Sequence, residues 1–395
     1  MTALPQPAAP AAAGASRPVR DRIRGVDAAR ALAILGMVTV HFGPIQPDTS
    51  DLLGRVYRFS YGRASVLFVL LAGVGISLLL AARPVGESWT RIAWRAIVFY
   101  PLGVVLQPLD HGVAVILQFY ALYYLVGGLA ALLPTRWLAL LTAAWTIAGP
   151  LLFLALQDPE LAGRGTATAI SDPPTVVSDL LLTGYYPVIT WTPPLLVGLL
   201  VGRTDLRDTA TDVVLAVGGF VVALATYGGS ALARSAAAPD VAGSSYLLAE
   251  GHTGAPLNVV GATAVAVAVL GTCLLLARAL PRVSWPLVAV GQLALTVYVG
   301  HLLVLAWQPD WLIARDAVDV AALRVLRFFV VVAVTCVAWR VVFPRGPLEA
   351  LLALPFRRRP SGPPAPPPAA QVEARQRSDG GWHDRPQHTW RAPSP

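Results

Sequence analysis

Residues 24–44 read RGVDAARALAILGMVTVHFGP, an apolar run that also carries ionisable residues. The run is long enough for a first membrane-spanning helix, yet it carries Asp27, Arg30 and His41. Ionisable side chains are costly in hydrocarbon unless they are paired or face a polar cavity. At about 100° per residue, the three side chains project from one side of the helix, with His41 about 16 Å beyond Arg30. The stretch therefore predicts that one face of the first helix lines an internal site.

The composition of the whole chain indicates an integral membrane protein. Of its 395 residues, 55% are hydrophobic and 13% are charged, and the mean hydropathy is +0.61. A segment that crosses a bilayer must satisfy its own backbone hydrogen bonds, so apolar runs of this length are helices. We predict an all-α, polytopic membrane protein with about ten transmembrane helices.

The charge of the chain fixes its expected orientation. The formal net charge of +8 comes from arginine, because the sequence contains no lysine. These arginines fall mostly in short loops, which is typical of membrane orientation signals and argues against nucleic acid as a partner. The arginines before the first helix place the N-terminus in the cytoplasm, and ten helices return the C-terminus to the same side. We expect a multi-pass plasma membrane protein that contacts lipid, and the sequence leaves its oligomeric state open, a homodimer included.

Three regions are expected along the chain. Residues 1–21 form an Ala/Pro-rich disordered cytoplasmic arm, residues 22–356 form the transmembrane domain, and residues 357–395 form a disordered cytoplasmic tail. Within the domain, residues 46–63 are expected to be a polar external connection.

Several helix boundaries are expected from the hydropathy pattern. The third helix is predicted to begin near residue 92, and the fourth to run over 113–133. The sixth helix, 185–202, is interrupted by prolines at 187, 193 and 194. The ninth is expected as one helix over 285–307.

Four of the six histidines are expected at one membrane face. They are His41, His111, His252 and His301. None of them pair at the i, i+3 or i, i+4 spacing of a helical metal site, so no metal is predicted. General acid–base chemistry is the better interpretation, because imidazole titrates near neutral pH. For each of them except His41, a satisfied hydrogen-bonding role is the stronger alternative.

Arginines near the cytoplasmic helix ends have two interpretations. Arg91, Arg95 and Arg203 either extend their charged groups to the membrane surface or hold the phosphates of a cytoplasmic ligand. Arg95 suits the second role best, because it lies deeper in its helix.

A resemblance to a known group begins in the first two helices. Asp27, Arg30, the ten residues between Arg30 and His41, and LFVLLAG at 67–73 resemble the start of the transmembrane acyltransferase superfamily. That group includes bacterial proteins that O-acylate surface polysaccharides, with an Arg-x10-His signature, and the heparan-α-glucosaminide N-acetyltransferases. The closer likeness is to the latter and to related bacterial membrane proteins. It is carried by VILQ at 115–118, GYYP at 184–187 and GQLALTVY at 291–298.

The resemblance implies an enzyme of the cell envelope that moves an acetyl or other acyl group across the membrane. The co-substrate would be cytoplasmic acetyl-CoA, without a metal, and the acceptor a carbohydrate or similar small molecule with a hydroxyl or amine group. At the matching positions His41 would be the catalytic base or a transient acyl carrier, supported by Arg30 and Asp27. Coenzyme A phosphates would be held by Arg91, Arg95 and Arg203. Candidates for contacts to the substrate or the oxyanion are Gln118, Tyr120, Gln292, Tyr298, His301 and His111.

The sequence departs from the heparan-modifying enzymes at one point. Those enzymes carry an asparagine where this chain has His41 and a histidine somewhat later, and residues 46–60 contain none. The expected reaction centre is therefore closer to the polysaccharide-modifying pattern.

Two other functional classes remain open from the sequence. A transporter or flippase for an anionic or lipid-linked molecule would use the same polar helix face as a pathway, and the interrupted sixth helix favours it. A non-catalytic scaffold would leave Arg30 and His41 unexplained within the membrane.

Overall fold

The computed structural model describes residues 22–44, 52–156, 173–237, 245–315 and 317–356. Within these residues the chain is helical and contains no strand. The chain divides into two units, Met1–Leu352 and Ala353–Pro395, and the site described below lies in the first. The predicted arm, 1–21, and tail, 357–395, lie outside the described residues.

In chain order the α-helices are α1 Arg24–Phe42, α2 Leu52–Ser60, α3 Arg63–Ala82, α4 Val85–Leu106, α5 Leu117–Ala130, α6 Thr135–Leu156, α7 Pro173–Ser178, α8 Val188–Val201, α9 Thr209–Ala236, α10 Pro256–Ala279, α11 Trp285–Gln292, α12 Ala294–Trp307, α13 Pro309–Leu312, α14 Val318–Val342 and α15 Pro347–Ala353.

The architecture confirms an all-α, polytopic membrane protein. Among the described residues, six spans are long and apolar enough to cross a membrane, and two bent helix pairs raise the number to eight. The count of ten stays a prediction, because α5 has only 14 residues. A helix of that length extends about 21 Å, short of the roughly 30 Å of hydrocarbon.

The expectation of one continuous ninth helix is wrong. The segment is broken at Leu293, and α11 and α12 meet at a bend of 77°. Close contact with α1 occurs at the break, because a Cβ atom on Gly291 would lie 1.7 Å from the carbonyl oxygen of Asp27. Only glycine permits this approach, and the chain changes direction directly after it.

The interruption of the sixth helix occurs at the first of the three prolines only. Helix α8 continues through Pro193 and Pro194, and Pro187 is its N-cap. The bend of 58° falls before it, between Thr183 and Val188.

Three other boundaries differ from the sequence expectation. The connection over 46–63 contains α2, and α4 begins at Val85, about two turns before residue 92. Residues 113–116 precede α5 instead of opening it, since the Gln107 side chain bonds their backbone. Its Nε2 donates to the Val113 carbonyl at 3.3 Å, and its Oε1 accepts from the Val115 amide at 2.9 Å.

A buried carboxylate holds the first helix. Asp27 is 0% exposed, and its side chain accepts from Arg22 Nε at 2.5 Å and from Arg30 Nη1 at 2.7 Å. Gln292 Nε2, at the end of α11, donates to the same carboxylate at 3.4 Å. The two arginines compensate the desolvated charge, and the glutamine ties α1 to the break between α11 and α12.

Replacing this carboxylate tests its role. We expect Asp27→Ala to lower the free energy of unfolding by about 3–5 kcal/mol, because Arg30 then loses its partner inside the protein. Unfolding of the purified protein in detergent, followed by intrinsic fluorescence, measures the change.

Glu87 offers a matched control, since it also lies against two arginines, Arg83 and Arg91. Its side chain is 45% exposed, against 1% for Asp27, so Glu87→Ala should cost less than about 1 kcal/mol. Equal losses in the two variants would contradict the structural role of Asp27.

Candidate functional site

A cavity of about 440 Å³ lies at the C-terminal end of α1. His41 lines it together with His111, His252 and Arg315. Its volume lies within the range of small-molecule sites, and its wall combines aromatic rings with a few polar groups, as such sites do.

The His41 side chain is held by a second histidine. His41 Nδ1 lies 3.0 Å from His301 Nε2, and the two rings stack at a centroid distance of 5.2 Å with an interplanar angle of 5°. The two residues are 260 positions apart, one at the end of α1 and the other in the middle of α12. This contact occupies one nitrogen of His41, and Nε2 is the nitrogen that remains for chemistry.

The His111 ring is bonded to the backbone on both sides. Its Nε2 donates to the Leu106 carbonyl at 2.8 Å, and its Nδ1 accepts from the Val113 amide at 3.1 Å. Both ring nitrogens are therefore engaged by backbone, so His111 shapes the turn after α4 and lines the cavity with its ring. No group of three or more His, Cys, Asp or Glu side chains in the described part of the chain is placed to hold a metal ion.

His252 lies within a cluster of aromatic rings at the cavity wall. Its ring centroid is 4.4 Å from that of Tyr185, 4.9 Å from that of Tyr61 and 5.9 Å from that of Trp191. Burial lowers the pKa of the His252 imidazole to about 4, so the ring is neutral near pH 7. The hydroxyls of Tyr61 and Tyr185 bond each other at 2.8 Å.

A column of aromatic rings runs from the histidine pair towards the other end of the helices. In order, its members are His301, Tyr298, Phe68, Tyr120 and Tyr124. Neighbouring ring centroids are 5.2 to 6.4 Å apart. The guanidinium of Arg95 lies 5.5 Å from the Tyr124 ring centroid and ends the column. Arg95 was predicted to hold phosphates and His301 to contact the substrate. Continuous ring contacts connect these two residues.

Several predicted site residues leave a buried polar atom without a partner. These atoms are Gln118 Oε1, Tyr120 OH, Gln292 Oε1 and His301 Nδ1. Buried polar groups are almost always hydrogen-bonded, so such a concentration indicates a place for water or a bound molecule. Tyr298 differs from them, because its hydroxyl accepts from the Ile116 amide at 3.3 Å.

Asp27 and Arg30 lie apart from the histidine pair. At 1.5 Å per residue, His41 is about 21 Å along α1 from Asp27 and about 16 Å from Arg30. One face of α1 thus carries polar groups at both ends, as expected, but the two ends form separate clusters.

The three arginines proposed to hold phosphates have different surroundings. Arg91 Nη2 donates to Glu87 at 2.9 Å. Arg203 donates to the carbonyls of Ala131 and Leu133 at 2.9 Å, where it caps the C-terminus of α5. Arg95 is the one that lies on the aromatic column.

Sequence reasoning missed several residues of the cavity. Tyr61, Tyr185 and Arg315 line it without having been singled out, and His252 was noted only for its side of the membrane. The GYYP segment at 184–187 carried a signal for Tyr185. No sequence pattern indicated Tyr61 or Arg315, because the segments that meet at the cavity are distant in sequence.

Comparisons with known proteins assign the chain to a family. Residues 22–233, more than half of the chain, match the family model "Heparan-alpha-glucosaminide N-acetyltransferase, catalytic", and residues 203–354 match "Protein of unknown function (DUF418)". No curated protein matches the chain. The first match covers α1 with Asp27 and His41, the aromatic residues Phe68 and Tyr120, and the GYYP segment. This chain belongs to the heparan-alpha-glucosaminide N-acetyltransferase catalytic family, and it is a membrane acyltransferase of that type.

Proposed function

We propose that this protein transfers an acetyl or other acyl group from cytoplasmic acyl-CoA to a hydroxyl or amine group of a sugar or similar acceptor on the outer side of the membrane. The observation that carries the proposal is His41 in the cavity wall, with Nδ1 bonded to His301 and Nε2 left for chemistry. A base placed in this way takes a proton from the acceptor as it attacks.

The histidine contact is compatible with a basic His41. Two neutral imidazoles 3.0 Å apart share a single proton, so one ring donates and the other accepts. In the proposed tautomer, His41 Nδ1–H donates to His301 Nε2. His41 Nε2 then carries the lone pair that a general base requires.

The chemistry balances with these groups. An acyl thioester supplies an activated carbonyl carbon. His41 Nε2 takes the proton of the acceptor as the new C–O or C–N bond forms and the C–S bond breaks, and the proton then leaves with the coenzyme A thiol. His41 Nδ1–H remains bonded to His301 throughout, so the imidazolium keeps its orientation.

The rest of the site fits an acyl-CoA substrate. Its phosphates are anionic, and Arg95 and Arg91 lie at the end of the aromatic column remote from the histidine pair. The rings of the column suit the apolar parts of the pantetheine arm. Tyr120 OH is a buried donor without a partner, and it is suited to a thioester carbonyl oxygen or the oxyanion formed from it.

Transport remains the second candidate. Two bent spans, at 58° and 77°, resemble the discontinuous helices that build binding sites in secondary transporters. Accumulation of an unmodified solute in vesicles, without acyl transfer, would favour it.

The role of His41 as the base can be tested by its removal. We expect His41→Ala to lower acyl transfer by about 10²- to 10⁴-fold, because the acceptor proton then has no receiver. Transfer of radiolabelled acetyl from acetyl-CoA to a panel of sugars and amines, by the purified protein in lipid nanodiscs, measures it. His383→Ala, in the C-terminal tail, controls for the loss of a histidine. Transfer that survives His41→Ala would remove this residue from the mechanism, and no transfer by the wild type in native membranes would contradict the function itself.

The role of His301 as a positioning residue can be tested with two substitutions. His301→Phe keeps a ring but removes the acceptor, and we expect kcat to fall about 100-fold while the KM for acetyl-CoA stays within about 2-fold. His301→Gln can place an amide oxygen near the former Nε2 and should restore most of kcat.

Steady-state kinetics at saturating acceptor separate the two effects. A purely structural role would lower kcat alike in both variants, together with the thermal stability. That result would remove His301 from the positioning of His41.

A further inference from the structure

His252 has a backbone conformation that few side chains adopt. Its φ is +62°, and among the described residues it is the one non-glycine residue with a positive φ. Histidine, asparagine and aspartate tolerate this region better than other residues. Such conformations persist when the surrounding structure holds them, and they concentrate at ligand sites.

The loop around His252 is fixed by close packing. A Cβ atom on Gly254 would lie 2.4 Å from Phe153 Cε1 of α6, and one on Gly62, before α3, would lie 2.9 Å from the Gly251 Cα. Outside the cluster, Arg58 bonds Glu250 at 3.2 Å. The loop therefore packs between α6 and the start of α3, and this packing fixes the position of the imidazole.

The imidazole leaves one nitrogen for a ligand. His252 Nδ1 is buried and has no partner. The carbonyl of Tyr185 is the polar backbone group that interacts with the ring, and it favours a proton on the other nitrogen, Nε2. Since burial keeps the ring neutral near pH 7, Nδ1 presents a lone pair and can accept a hydrogen bond.

The surroundings of this nitrogen define the class of ligand. The aromatic rings enclose the imidazole itself, so the cluster is not an empty cage for a cation. Arg315 adds a positive charge to the same cavity and disfavours an ammonium group. The tyrosine and tryptophan rings offer apolar faces with polar tips, which suit a molecule that carries both C–H and O–H groups.

We propose that His252 Nδ1 anchors the acceptor by accepting a hydrogen bond from a hydroxyl of an uncharged, hydroxyl-rich molecule. The inference rests on the proposed function, because a second hydroxyl of the same molecule would face His41, which lines the same cavity. The acceptor would therefore carry at least two hydroxyl groups, one bound by His252 and one acylated.

Two substitutions of His252 test the proposed hydrogen bond, because one keeps an acceptor near the position of Nδ1 and the other removes it. Asparagine and glycine both tolerate a positive φ, but only asparagine offers an oxygen near the position of Nδ1. We measure binding of radiolabelled methyl α-D-glucopyranoside to the full-length protein in detergent by equilibrium dialysis. Wild type and His252→Asn should bind it with Kd values within about 3-fold, and His252→Gly about 10-fold more weakly.

Other outcomes decide against the proposal. Equal binding by His252→Gly, or no binding by the wild type, would overturn it. Binding of 1-propanol or of glucosamine as tightly as the glucoside would overturn the class of ligand. The measurement is independent of turnover, because binding is read without any acyl donor present. If the binding pattern holds while no protein preparation transfers an acyl group, the proposed function fails and the hydroxyl site stands.

Discussion

The site depends on the compensation of one buried charge, the carboxylate of Asp27. A carboxylate without partners inside a membrane protein is strongly unfavourable. Arg22, which precedes α1, and Arg30, on α1, compensate the charge of Asp27. The same carboxylate receives Gln292, at the point where the chain breaks between α11 and α12. The charge cluster therefore joins the first helix to the broken span.

This junction is connected to the chemistry at the other end of the helix. Helix α1 is bonded to the broken span near both of its ends, through Asp27 to Gln292 and through His41 to His301. The span bends by 77° between α11 and α12, directly after the contact with Asp27. A straight helix over 285–307 would run in a different direction from α12. The break thus directs α12, and with it the imidazole that orients His41.

The two ends of α1 carry different tasks in the proposed enzyme. The polar face of the helix was expected to form one site, but the ion cluster and the histidine pair are separate, and the aromatic column runs between the histidine pair and Arg95. The column has buried polar atoms without partners beside it, at Gln118 and Tyr120.

The sequence by itself determined that this is an all-α membrane protein, and the helical period determined that Asp27, Arg30 and His41 share a face of α1. Those properties are local, since they depend on hydropathy and on spacing along one helix. The family resemblance of the first two helices was likewise readable there, and the family model confirms it.

Only the tertiary structure decided which groups meet. Residues 287–307 contain no proline that would predict the break at Leu293. The break depends on the close approach of Gly291 to the Asp27 backbone. The contact of His41 with His301 spans 260 residues, and the ring cluster of His252 draws on three separate segments. Such contacts arise from the packing of helices that are distant in sequence, and no pattern within a single helix encodes them.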